Sequence, residues 1–530
     1  MKPNIEPANP NIHPERYSHA WFRFFEILPG ACVWIALISP FILSFYAPLA
    51  VTIFIILFDI YWLIRSLNYG MLLLRAYGKM RKNLQKDWRS ELQKITDLGE
   101  KERARLGVLD WREIYHVVII PTYREEQAIL EASIDSLVST DYPKDHMIVV
   151  LAIEGREAHI ARPMAAILEK QYDKEFLRFL VTEHPDGIIG EVKAKGANAT
   201  WAAKILVEEV KEMGIPLENI VVSTADADTR FPVQFFTALS YNYSVTTDRL
   251  QACYQPVATF FNNIWDAPML SRVLAFGTTF WQLIESVRDY RLITFSTHAM
   301  SLKTLVDIDY WCTSIVNEDS RQFFRAYFHY KGKFRVIPLF MPIYMDAVFV
   351  QNLKGTISNL YYQQQRWAYG VEHFPYIVLE SARQKTIPLT SRLALIGRAF
   401  EGAFSWSTAS FFITFVGWLP LLLNKSFNDH IVASNFPIVT QILLSLTWVG
   451  TVITAYATIK LLPVRPGDKK LTHTLTMILQ WILIPFTAIF FGAIPGLDAQ
   501  TRLMLGKYMG FRVTEKKAVR TPIKPTPTAI

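Results

Sequence analysis

The chain has 530 residues, of which 51% are hydrophobic and 14% aromatic, with three cysteines and a formal net charge of +8. It is too long for a single core, and Cys32, Cys253 and Cys312 lack the paired spacing of a zinc site or a disulfide framework. The positive charge gathers beside an apolar segment, as in a membrane protein, so no nucleic-acid partner is expected.

Residues 1–26 are mostly polar and read as a cytoplasmic N-terminal segment. From Ile27 to Phe58 there is no Asp, Glu, Lys or Arg, a run too long for one span and right for two, hinged near Tyr46-Ala47-Pro48. Residues 27–74 are therefore expected to form two transmembrane helices. A small-residue cleavage pattern is lacking, which argues against a secretory signal. Ten Lys and Arg lie from Arg75 to Arg105. A basic segment next to a span stays on the cytoplasmic side and can meet anionic membrane lipids, so residues 75–395 read as a cytoplasmic domain.

Inside that domain, His116 to Ile120, Met147 to Ile153, Arg178 to Val181 and Ile220 to Ser223 read as buried strands. Ala128 to Leu137 and Ala197 to Met213 carry apolar residues at helical spacing between them. Strands alternating with helices predict an α/β domain with a parallel sheet covered on both faces, and ligands of such sheets sit beyond the carboxyl ends of the strands.

Four stretches carry the chemistry, and the first of them, like "PTYRE" (121–125), follows a strand end. "TADADT" (224–229) places Asp226 and Asp228 two residues apart, suited to a hard divalent ion and equally to a turn. "NED" (317–319) offers Glu318 and Asp319 as a base for a hydroxyl proton, or as the acidic start of a helix. "QQQRW" (363–367) offers Gln363, a planar donor in Arg366 and an apolar face in Trp367, or an interfacial aromatic belt. The loop "GIIGEVKAKGAN" (187–198) brings Lys193 and Lys195 beside three glycines. No P-loop, HExxH or GxSxG pattern occurs.

With "VVIIPTYRE" (117–125) and "YQPVATFFNN" (254–263), these motifs stand in an order that resembles the membrane-bound, processive-type family-2 glycosyltransferases, the group of cellulose, chitin and hyaluronan synthases. The resemblance covers residues 115–370 and the arrangement of spans around them. It implies a GT-A (Rossmann-like) fold and inverting, Mg2+- or Mn2+-dependent transfer of a sugar from a nucleotide sugar, a UDP-sugar by family habit, to a growing glycan. Carried over residue by residue, Asp228 would bind the metal with Asp226, which also lies near the donor ribose. Asp319 would be the base with Glu318 beside it, and Gln363, Arg366 and Trp367 would hold the diphosphate and the acceptor end. Thr122, Tyr123, Glu125, Glu154 and Lys195 would hold the donor. This chain departs from the family at Arg124, at Ile153-Glu154-Gly155 and at Asn317, which leaves the nucleotide preference open. Single-sugar transfer to a lipid acceptor is the alternative reading, and a non-catalytic transporter or scaffold a remote one.

Residues 396–497 hold three further apolar runs, Gly402 to Leu423, Phe436 to Ile459 and Leu475 to Ile494, expected as about three spans. Asp59 and Glu401 read as charges near span ends. Residues 498–530 read as a basic, partly disordered tail. With seven Lys and Arg it is expected on the cytoplasmic side, which calls either for the last apolar run, marked by Pro485 and Pro495, to bend back or for a further spanning segment. The sequence leaves protein partners open.

Overall fold

The computed structural model describes residues 17–350, 352–463 and 471–510, with the side chains of 471–474 also left out. Expectations for residues 1–16 and for the tail beyond residue 510 lie outside the described residues. Seven strands form one sheet: β1 (Tyr115–Pro121), β2 (Met147–Glu154), β3 (Arg178–His184), β4 (Ile220–Thr224), β5 (Ala252–Thr259), β6 (His298–Ser301) and β7 (Arg335–Tyr344). Their order is β3-β2-β1-β4-β6-β5-β7.

The apolar runs become central strands because helices cover both faces. Along β1, Val118 and Ile120 join a core with Leu130, Ile134 and Leu137 of helix Gln127–Val138. Val117 and Ile119 join the opposite core with Ala199, Ala203 and Leu206 of helix Lys195–Glu212. That is the two-residue alternation of a strand buried on both sides.

The sheet is mixed rather than parallel throughout. β3, β2, β1 and β4 run parallel, but β6 is antiparallel to both β4 and β5, and β5 pairs in parallel with β7. This single reversal brings the first residue of β6, His298, opposite Thr224 at the end of β4. The start of β6 therefore joins the carboxyl ends of β1, β2, β4, β5 and β7 on one edge. The β5–β7 register shifts between Gln255 and Val257, where Pro256 has no amide to offer the ladder. Pro338 and Pro342 are tolerated in β7 because it is an edge strand.

Helices His19–Tyr46 and Pro48–Gln85 turn at Ala47, as expected. The second runs beyond residue 74 because Ala76, Tyr77 and Met80 pack into the core of the sheet domain. Asp59 is not near a span end: it lies within the apolar part of that helix and is 2% exposed. Four helices, or five counting the pair Leu389–Thr414 and Val416–Leu423 bent by 45°, are long and apolar enough to cross a membrane.

The last apolar segment does not end where its hydropathy ends. It continues through a π-helical turn (Ile489–Ala493) into helix Ile494–Met504, so a boundary at residue 498 falls inside a helix. Both of its ends meet the sheet domain: Arg272 donates to Gln480 (2.9 Å), and Tyr361 and Gln365 donate to Asp498.

Candidate active site

The edge formed by the strand ends gathers the acidic residues. Asp226 follows β4, and Lys195, the first residue of helix Lys195–Glu212, donates to its Oδ1 at 2.6 Å. The other oxygen accepts from the Ser296 hydroxyl at 2.8 Å. Burial disfavours the Lys195 charge, but Asp226, Glu318 and Asp319 around it more than offset this and hold its pKa above the usual lysine value. Lys193 points away and pairs with Asp186 at 2.8 Å. Of the two candidate lysines, Lys195 is the one beside the carboxylates.

Asp319 lies in the first turn of helix Glu318–His329, where amide groups favour a carboxylate. Its Oδ2 accepts from the Ser296 amide (2.9 Å) and its Oδ1 from the Ser320 amide (2.7 Å). Ser296 adopts φ of +39°, in the left-handed region that a side chain rarely enters. That backbone lets one residue address Asp226 with its hydroxyl and Asp319 with its amide. Glu318 is buried beneath the lysine. Burial, with the Asp319 charge beside it, pushes its carboxyl up to about 8 against the pull of Lys195 and Arg366, so at neutral pH it is chiefly protonated. The two acids of "NED" thus separate into an amide-held carboxylate and a buried carboxylic acid. A Cβ on Gly196 would come within 2.8 Å of Glu318 Cγ and of the Cys312 carbonyl, so the glycine after Lys195 lets the two elements close.

Asp228 is buried and turned toward β7: its Oδ2 accepts from the Asp346 amide at 2.7 Å, and its carbonyl accepts from Asn262 at 3.0 Å. Among the described residues no group of three or more His, Cys, Asp or Glu side chains could hold a metal. The donor set at the edge is two hard carboxylates, one of them already balanced by a lysine. That fits Mg2+ or Mn2+, which bind through one or two carboxylates with phosphate oxygens and water, and does not fit zinc.

"QQQRW" lies in helix Leu353–Ala368 and sits across the edge. The Asn317 side chain donates to the Arg366 carbonyl (3.1 Å), and both its amide and side chain donate to Glu372 (3.1 and 3.3 Å). Asn317 therefore ties this helix directly to the start of the helix bearing Asp319. Trp367 packs against Phe260 and Phe295 (ring centroids 6.4 and 6.1 Å). Gln363 and Trp367 line a narrow cleft whose other walls include Leu274, Ala275 and Val348.

On the β1–β2 side, Glu125 accepts from the Thr122 hydroxyl (2.9 Å) and the Tyr123 amide. The Arg156 guanidinium lies 3.8 Å from the Tyr123 ring centroid, over an edge where Glu154 stands 3.3 Å from Arg156 and 3.7 Å from His184. Apart from Lys193, the candidate site residues from the sequence thus lie along one edge of the sheet or on the helix across it.

Ser296, His298, Asn317, Asp346, Glu372 and Arg156 complete the edge and were not singled out as site residues. His298 is buried, its Nδ1 3.0 Å from the Ser296 carbonyl and its Nε2 without a hydrogen-bond partner. Burial lowers its pKa to about 4 despite Asp319, so the ring is neutral near Lys195. "FSTHAMS" (295–301) gave one available signal, a polar pair before a short apolar strand.

No family model and no curated protein matches the chain. Among solved structures it is similar to the mannosyltransferase PcManGT from Pyrobaculum calidifontis in complex with GDP-Man and Mn2+, at 15% identity and a TM-score of 0.39, covering 82% of this chain and 99% of that one. It is also similar to S. aureus TarS 1-349 in complex with UDP-GlcNAc (13%, 0.35, covering 66% and 93%) and to GalNAc-T7 with UDP, GalNAc and Mn2+ (9%, 0.28, covering 60% and 58%). Likeness this distant does not bear on substrate or activity.

Proposed function

We infer that the protein transfers a sugar from a nucleotide-sugar donor to an acceptor at the inner face of a membrane, and that the acceptor is a growing polysaccharide. The observation that carries this reading is the convergence on one sheet edge of Asp226, Lys195 and Asp319, with Arg366 and Trp367 on the helix tied to that edge by Asn317. In the donor half, Tyr123 and Arg156 offer a flat surface for a base, and Lys195 and Arg366 offer charge for the diphosphate. Asp319, aimed by two amides, takes the proton of the acceptor hydroxyl as that oxygen attacks the anomeric carbon. Trp367 gives the acceptor ring an apolar face. Glu318, buried as the acid, keeps a second negative charge away from the base.

Asp226 and Asp228 would hold Mg2+ or Mn2+, which when bound supplies charge for the leaving diphosphate. The membrane setting rests on the candidate spans, and the basic segment after the second one supports a cytoplasmic sheet domain in a protein of the plasma or inner membrane. A lipid acceptor is the second reading. It is favoured by the count of four or five candidate spans, few to enclose a polymer channel.

The test is nucleoside diphosphate release from a panel of UDP- and GDP-sugars in detergent with Mg2+ or Mn2+, beside Asp319→Asn. Turnover with one donor, falling about 10²- to 10⁴-fold in the variant, is expected. Product size then separates polymer from glycolipid. Absence of release from every donor with glycan and lipid acceptors present, or an unimpaired variant, sinks the reading.

A further inference from the structure

A second charged cluster lies where the apolar part of helix Pro48–Gln85 gives way to the sheet domain. Arg65 on that helix donates to Glu401 at 2.5 Å, and Arg291 on the sheet domain reaches the other oxygen of the same carboxylate at 3.2 Å. Arg288 pairs with Glu285, and Arg398 donates to the Tyr290 carbonyl. Arg65 and Arg288 share the ring of Tyr69, their guanidinium carbons 5.2 and 5.0 Å from its centroid. Four arginines thus face two carboxylates, an excess of two positive charges. Asp289, the adjacent acid, is exposed and accepts from the Tyr290 amide.

Three observations mark this excess as more than a clamp between membrane helices and domain. Arg288 is 8% exposed, yet its Nε has no hydrogen-bond partner, a costly arrangement for a buried donor. Burial pushes the Glu285 carboxyl up against Arg288, Arg291 and Arg65, which weakens it as their counter-charge. Exposed Tyr61, Trp281 and Tyr290 rim the cluster, amphipathic rings of the kind that sit at a headgroup level. The cluster also leads toward the candidate site: Trp281 packs on Phe295 (5.5 Å), and Phe295 on Trp367.

We propose that Arg65, Arg288, Arg291 and Arg398 form a binding site for a phosphate group at the membrane boundary. Arginine forks match phosphate oxygens, and a bound phosphate supplies the negative charge the cluster lacks. The aromatic rim favours a phosphate carried on an apolar tail over free phosphate. The site stands or falls independently of the proposed sugar transfer, because its readout is binding.

The experiment uses the full chain in a neutral detergent and follows tryptophan fluorescence during titration with farnesyl phosphate, farnesol or inorganic phosphate. Saturable binding of farnesyl phosphate is expected, with no saturation by farnesol. The double variant Arg291→Gln/Arg398→Gln should weaken it about tenfold or more, whereas Arg291→Lys, which keeps the charge and reports on folding, should stay within about threefold. Binding should also weaken with added salt. Inorganic phosphate binding as tightly, with the same response to the variants, supports the site and assigns it to free phosphate. Equal binding of farnesol and farnesyl phosphate, or affinity unchanged in the double variant, overturns the proposal.

Discussion

The two halves of the sheet meet at β4 and are fixed by different interactions. From β3 to β4 the strands are parallel, with apolar side chains packed into helices on both faces. Beyond β4 the edge is positioned by polar cross-links. Ser296 reaches Asp226 and Asp319, and the Thr294 hydroxyl donates to the Asp319 carbonyl (2.6 Å). Asn263 joins β5 to the residue after Asp346 through a pair of bonds with Ala347 (2.8 and 2.7 Å). Burial decides where the edge lies, and hydrogen bonds decide which way its charges point. Substitutions in the first half should therefore cost stability or donor affinity, and those near the seam should cost turnover.

The largest effect is expected at the seam, from Lys195→Met. The change keeps an apolar stem but removes the cation that faces Asp226, Glu318 and Asp319. A fixed charge of this kind is worth on the order of 10²-fold or more in turnover when it stabilises a developing anion. Initial rates of nucleoside diphosphate release check it, and a rate within about twofold of wild type would break the comparison.

Gly196→Ala tests how tightly the seam is closed. Its Cβ would meet the Cys312 carbonyl and two carbons of Glu318 at 2.8 to 2.9 Å, and overpacking of this kind costs about 1 to 3 kcal/mol. A lower midpoint of thermal unfolding in detergent is expected. A midpoint equal to wild type would show that the helix start can move away from Glu318.

Glu318 gives a smaller effect with a distinctive sign. An exposed Glu titrates near 4.5, whereas in the fold its carboxyl titrates near 8. Between those values the folded protein holds a proton that the unfolded chain has released, so stability falls as pH rises through this window and levels off above it. Glu372, pushed up to about 7 chiefly by burial, acts in the same direction, and only the difference from Glu318→Gln isolates Glu318. Relative to that variant, wild type should lose on the order of 1 kcal/mol or more from pH 5 to pH 8. Parallel stability curves would mean that Glu318 is not buried as an acid.

How much of this was legible in the sequence follows the same division. β1, β2 and β4 announced themselves as apolar runs, and Asp226, Asp228, Glu318 and Asp319 stood out through their spacing. The reversal of β6 was not readable, because four residues, His298–Ser301, carry no signal of direction and their partners lie 45 to 80 positions away in the chain. Ser296 was hidden for a related reason: its role depends on a left-handed backbone between two carboxylates that are distant in sequence. The second transmembrane helix was bounded by hydropathy at residue 74, but packing on the sheet domain carries it to Gln85. Asp59 looked peripheral because charge resumes soon after it, although the helix continues well past Arg65.

The smallest effect is expected in the first half, from Arg156→Gln. The guanidinium lies on the Tyr123 ring at 3.8 Å and near Glu154, and neither partner touches Asp319 or Lys195. Removing it withdraws a cation–aromatic contact worth about 0.5 to 2 kcal/mol, from the surface proposed to hold the donor base equally before and during reaction. KM for the donor should rise about three- to tenfold with kcat nearly unchanged, the pattern of lost uniform binding. A fall in kcat with KM unaltered would place Arg156 among the groups that orient the reacting charges and erase the distinction between the halves.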